Sequence, residues 1–196
     1  MPTTTKMGIV YPSSTDLVKD GATAMGTIST TVDAKSGLVL LETQTFSAVS
    51  AVNFTSKFSS NFDNYIAEIN CTFSASLDIY ARLRSGSTDA SGSDYVTQGV
   101  GSNSTSVSAG RTTTTYWFCN FIATGTEFSQ TWKLFNPFKA SVTNVISNSY
   151  SSTGATVAQN ACVQRHNLTT SYDGITFYPG GAGTMTGVIS LYGINK

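Results

Sequence analysis

The stretch Asn64-Tyr65-Ile66-Ala67-Glu68-Ile69-Asn70-Cys71-Thr72-Phe73 decides the fold class. Tyr65, Ala67, Ile69, Cys71 and Phe73 take every second position and alternate with Asn64, Glu68, Asn70 and Thr72, with Ile66 the one exception. Successive side chains of a strand point to opposite faces, so a period of two buries one face and wets the other. The pattern recurs outward from this run. Leu77, Ile79, Ala81 and Leu83 alternate with Asp78, Tyr80, Arg82 and Arg84. Phe128, Trp132 and Leu134 share a face, as do Val157, Ala161 and Val163. Near the end Met185, Gly187, Ile189 and Leu191 oppose Thr184, Thr186, Val188 and Ser190. Clusters of Gly, Ser, Asn and Asp at 85–93, 101–110, 147–154 and 180–183 separate the runs and read as turns or loops. Roughly ten short strands, each with one dry face, predict an all-β domain over residues 38–196, an antiparallel β-sandwich or jelly roll.

Residues 1–37 have a different character. Tyr11-Pro12-Ser13-Ser14 reads as extended chain and turn, because proline disfavours helix at the residue before it. A short helix is predicted from Asp20 to Ala34, with Asp20 as N-cap and Gly37 just past the end. Val18, Met25, Ile28 and Val32 fall on one stripe of it. Such a helix is only about 22 Å long and marginal alone, so its stripe is expected to dock on something. Residues 1–37 are therefore read as an N-terminal anchoring arm, with Val18, Met25, Ile28 and Val32 as its oligomerisation or anchoring surface.

Composition narrows the function. The chain has 196 residues, 11 basic and 11 acidic, and only 11% are charged, against about 25% in an average soluble protein. Its polarity comes from 27 Ser and 30 Thr. Without a basic excess to displace counterions, a nucleic-acid partner is not expected. No apolar run approaches the roughly 20 residues that cross a bilayer, so membrane insertion is not expected either. The first residues, Met1-Pro2-Thr3-Thr4-Thr5-Lys6, lead into no apolar signal core, which predicts synthesis in the cytoplasm. Strand edges with so few lysines are poorly guarded against pairing, which implies cover by other subunits.

Residues with chemical potential are few and scattered. His166 is the only histidine and is read as a surface or edge residue; no G-x-S-x-G nucleophile elbow occurs. Carboxylates are scattered, so no enzyme is expected. Asp89 and Asp94 share the loop 86–94 but match no EF-hand pattern, and no metal or cofactor is expected. Cys71, Cys119 and Cys162 lack zinc spacing and are expected to be buried free thiols. Four N-x-[ST] sequons, at Asn53, Asn70, Asn103 and Asn167, are about what chance gives in so hydroxyl-rich a chain. Tyr116, Trp117 and Trp132 remain as candidate glycan contacts, since aromatic faces stack on sugar rings. Alternation around the two tryptophans argues for core packing instead.

Three segments in order resemble a known module: Phe62-Asp63-Asn64-Tyr65-Ile66, the run Ile79-Tyr80-Ala81-Arg82-Leu83-Arg84-Ser85-Gly86-Ser87-Thr88-Asp89, and the ending from Gly174-Ile175-Thr176-Phe177 through Ile189-Ser190-Leu191-Tyr192-Gly193. Together with Asn136-Pro137-Phe138, they resemble β-sandwich modules of tailed-bacteriophage virion proteins, namely tail-fibre, collar and head-associated proteins of aquatic phages. Asp20-Gly21-Ala22-Thr23-Ala24-Met25 resembles the short virion-proximal arm of such proteins. No fibrous shaft repeat is present. The resemblance implies a structural virion protein that acts by placement: a tail-fibre or collar component whose sandwich displays loops near 85–94 and 102–110 to host-surface glycan. A capsid decoration or head-fibre protein is the alternative, and a free carbohydrate-binding module the second. Expected partners are other virion proteins and further copies of the chain, a trimer being favoured.

Overall fold

The computed structural model describes residues 20–35, 37–122, 125–152, 154 and 156–196. One α-helix and thirteen strands are present among them: α1 (Gly21–Lys35), β1 (Leu38–Val49), β2 (Val52–Phe54), β3 (Asn64–Leu77), β4 (Ile79–Ser85), β5 (Thr88–Asp89), β6 (Tyr95–Asn103), β7 (Ser106–Thr114), β8 (Trp117–Phe118), β9 (Gly125–Phe135), β10 (Thr143–Ser152), β11 (Val157–His166), β12 (Gly174–Pro179) and β13 (Met185–Ile194). The expected antiparallel β-sandwich forms. An eight-stranded sheet runs β1-β13-β3-β9-β10-β11-β6-β7, and a smaller one runs β2-β12-β4-β5 with β8 also paired to β4.

The deciding stretch lies in β3, whose Tyr65, Ala67, Ile69, Cys71 and Phe73 are all buried. They meet Phe128, Trp132 and Leu134 of β9 and Met185, Ile189 and Leu191 of β13 in one core cluster. The small sheet contributes Val52 and Phe54, Ile79, Ala81 and Leu83, and Ile175 and Phe177 to the same cluster. Aromatic edges interlock across it: Trp132 meets Phe177 at 5.9 Å and 78°.

Three expectations from sequence are corrected. First, the runs 101–110 and 147–154 are strand for most of their length. Gly101–Gly110 is the β6–β7 hairpin around the two-residue turn Ser104-Thr105, and β10 continues to Ser152. Second, β11 is turned over relative to its apolar pattern. Val157, Ala161 and Val163 face out, Val163 at 56% exposure, while Ala158, Asn160, Cys162, Gln164 and His166 are buried.

The physical reason for both is the segment 117–122, which sets backbone groups against the inner face of β10 and β11 and the Phe121 and Ile122 side chains against the glycines of β6. Gln164 Nε2 donates to the Phe118 carbonyl at 2.7 Å, Ser149 Oγ donates to the Cys119 carbonyl at 2.7 Å, and the Phe121 amide donates to Asn160 Oδ1 at 2.8 Å. Serine, asparagine and glutamine are needed there because a buried backbone group without a partner is costly. Glycine is needed too: a Cβ on Gly99 would lie 2.5 Å from the Phe121 ring.

Third, His166 is fully buried, with its ring 4.4 Å from Tyr95 and 5.1 Å from Tyr172. It closes β11 on the inward side of the alternation, so it is no surface residue.

Among the described side chains of α1, Ala24 is buried at 2% exposure, Ile28 is half-buried, and Met25 and Val32 are exposed at 66% and 42%. Val18 lies outside the described residues.

Candidate functional site

The outer face of the small sheet gathers several aromatic side chains that do not enter the core. The β4–β12 register sets Tyr80 opposite Tyr178, and the β4–β8 register sets Tyr80 opposite Phe118. Tyr116 leads into β8 and lays its ring on Tyr80, with centroids 3.9 Å apart and planes 10° from parallel. Tyr178 meets the same ring edge-on at 5.8 Å and 89°. Gly180 permits this arrangement, since a Cβ there would fall 2.5 Å from the Tyr80 ring. The Arg82 guanidinium lies 5.2 Å from the Tyr178 centroid and is aimed by two bonds to Thr115, from Nε to the carbonyl at 2.9 Å and from Nη2 to Oγ1 at 3.1 Å.

These four side chains are half-buried. Desolvation, with the neighbouring Tyr116 hydroxyl second, pushes the Tyr80 phenol upward, and burial pushes Tyr178 to about 12. Both phenols are therefore neutral donors at physiological pH. The Tyr178 hydroxyl is buried and has no hydrogen-bond partner among the described residues. A stacked aromatic pair and a fixed cation on one face suit a ligand with flat apolar surfaces and oxygen acceptors.

Beside this cluster, Arg84 acts as a clamp within the small sheet. Its Nη1 donates to Asn53 Oδ1 at 2.8 Å, Asp89 Oδ1 at 2.7 Å and Thr176 Oγ1 at 2.6 Å, and Nη2 donates to the Ser87 carbonyl at 2.7 Å. The turn 86–87 is thereby tied down, and Gly86 N donates to Asp173 Oδ1 at 2.9 Å. Asp89 thus serves an ion pair with Arg84. No group of three or more His, Cys, Asp or Glu side chains arranged to hold a metal exists among the described residues.

Of the sequence candidates for glycan contact, Tyr116 alone lies on this face. Trp117 and Trp132 are 0% exposed, 6.5 Å apart, with their indole N–H groups donating to the Arg165 carbonyl and Gln130 Oε1. A surface role for these two is therefore corrected to core packing, because each takes the inward position of its strand. Sequence reasoning missed Tyr80, Arg82 and Tyr178 as a unit. A signal was present: Tyr80 and Arg82 occupy outward positions of one alternating run. Their meeting with Tyr116 and Tyr178 depends on long-range register.

The three cysteines are free and buried. Burial lifts the Cys71 thiol to about 12, and the adjacent Cys119 thiol and burial push Cys162 up as well. No family model, curated protein or solved structure matches the chain.

Proposed function

We propose that the chain is a structural component of a bacteriophage virion, of tail-fibre or collar type, held by its N-terminal arm and presenting its β-sandwich to host-surface glycan. The face formed by Tyr80, Tyr116, Tyr178 and Arg82 carries the glycan part of the reading, because it offers a stacking surface and a cation together. Sugar rings present apolar C–H faces with hydroxyls at their rim, and acidic surface sugars add a carboxylate for Arg82. The exposed Met25 and Val32 of α1 support an arm that acts in assembly.

Two separate measurements test it. Calorimetry against host-surface polysaccharide is expected to show binding that Tyr116→Ala and Arg82→Ala each weaken roughly tenfold. Immunogold labelling of intact phage particles with antibody to this chain is expected at the tail or neck. Labelling spread over the capsid shell moves the reading to a decoration protein. Binding without any particle labelling overturns the virion reading and leaves a free carbohydrate-binding module. The absence of any polysaccharide binding removes the glycan role.

A further inference from the structure

The eight-stranded sheet ends on β7. Asn103 pairs with Ser106 across the turn Ser104-Thr105, and Ser104 has a φ of 52°, the left-handed geometry that tight hairpin turns use. A two-residue turn fixes the hydrogen-bond parity of its hairpin. The residues that flank it exchange both backbone bonds, and every second pair beyond them does the same. Ser106, Ser108, Gly110, Thr112 and Thr114 therefore aim their backbone groups at β6. Val107, Ala109, Arg111 and Thr113 aim theirs outward, where no described strand pairs with them. The side chains of these four are exposed, Val107 at 71%.

The other edges are short or dressed. β2 has three residues and β5 two. Along β1, Gln44 Nε2 donates to the Asn53 carbonyl at 2.9 Å and Glu42 pairs with Lys57 at 3.1 Å. β7 has nine residues without proline, lysine, acidic side chain or bulge, the devices that normally protect an edge.

We propose that β7 pairs with β7 of a second copy, antiparallel, across a two-fold axis at Gly110. Outward residues must meet outward residues, and a single register uses all four. It sets Val107 opposite Thr113 of the second copy and Ala109 opposite Arg111 of the second copy, so that all eight outward backbone groups on each strand bond. A slip of two residues one way faces Arg111 with Arg111 and leaves Val107 unpaired. The other slip leaves Thr113 unpaired.

In the full register the Arg111 stem covers the second copy's Ala109, while Gly110 keeps the axis free of side chains. The apolar outer face continues across the junction. Ala109 is registered with Val100, Val100 with Ala161, and Ile146 with Val163; Val100, Ile146 and Val163 are exposed at 44%, 46% and 56%. The pairing is isologous, so it yields dimers or even-numbered assemblies. It stands independently of the glycan and virion reading.

Sedimentation of the full chain from micromolar to millimolar concentration tests it, with amide exchange on the same samples. The expected result is a monomer–dimer equilibrium, with exchange at Val107, Ala109, Arg111 and Thr113 slowing as concentration rises. Ala109→Pro deletes an outward N–H without touching the β6 pairing and is expected to give a monomer. Ala109→Glu places a carboxylate opposite Arg111 and is expected to tighten the dimer roughly fivefold; Ala109→Lys is expected to loosen it by a similar factor. If Ala109→Pro fails to fold, the opposed effects of Glu and Lys decide. A monomer at every concentration, a trimer, or a dimer indifferent to Glu against Lys overturns the proposal.

Discussion

Asp78 and His166 show how single residues in this fold couple stability to pH in opposite directions. Burial lifts the Asp78 carboxyl to about 6, although Asn120 Nδ2 donates to it. The folded chain thus holds a proton that the unfolded chain releases near pH 4, so this group's contribution to stability is highest in acid and falls as pH rises from about 4 to about 6. His166 runs the other way. Burial lowers its pKa, and Nε2 has no partner among the described residues, so the fold excludes a proton that the unfolded chain takes up below about pH 6.5. Its contribution is complete above that pH and is lost on acidification. Asp78→Asn keeps an acceptor for Asn120 and is expected to stabilise the protein on the order of 2 kcal/mol at pH 7 with little effect near pH 4. His166→Phe is expected to lessen the loss of stability between pH 6.5 and 5. Urea titrations of both variants across pH 4 to 8 check the two signs. Neither effect was legible in the sequence, where Asp78 is one carboxylate among scattered ones and His166 reads as a surface residue. Their environments arise from β8 and the segment after it closing over distant strands.

At the level of elements, the instructive piece is the segment 117–122. Alternation identified β3, β4, β9 and β13 correctly because their inner faces meet other side chains, and apolar residues fill that space. The method failed on β11 and on much of β10, where the inner face meets a loop's backbone. Gln164, Asn160 and Ser149 form that face, and the apolar Val157, Ala161 and Val163 are left outside. A rule that assigns apolar residues inward must invert such a strand. The arrangement predicts a sharp dependence on Asn160, whose Oδ1 accepts from Phe121 N and whose Nδ2 donates to Ser149 Oγ at 3.2 Å. Asn160→Ala leaves the Phe121 amide without its acceptor, while Ser149 Oγ keeps its bond to the Cys119 carbonyl, and is expected to cost about 1–2 kcal/mol, with faster amide exchange at Phe121. Gly99→Ala attacks the same contact from the other side, pressing a methyl against the Phe121 ring and Cys162 Sγ at 2.5 and 2.6 Å. A loss of about 1–3 kcal/mol is expected, measured by thermal unfolding. The candidate site shares this limit of legibility. Tyr116 was visible as an aromatic in a polar context, whereas Tyr80, Arg82 and Tyr178 join it only through the pairing of β4 with β8 and β12.

For the whole molecule, the question is what residues 1–37 contribute. The core cluster draws on no residue before Leu41 among those described, and all of its large members lie between Val52 and Leu191. A chain of residues 38–196 keeps both sheets, the aromatic face and the β7 edge. It is therefore expected to melt within about 3 °C of the full chain, since a one-kilocalorie change shifts a domain of this size by about 2–4 °C. Placement should separate from stability. Virion incorporation is expected to be lost on truncation if the helix anchors the chain, because the exposed Met25 and Val32 go with it. Light scattering on the two chains distinguishes the two routes to assembly. Equal self-association in both chains assigns it to β7, and loss on truncation assigns it to the stripe on α1. Incorporation that survives truncation removes the anchoring role, whatever the sandwich binds. Association through β7 would also account for the low charge of the surface. An edge meant to pair carries hydroxyls and aliphatics in place of lysines, and β7 has one arginine in nine residues.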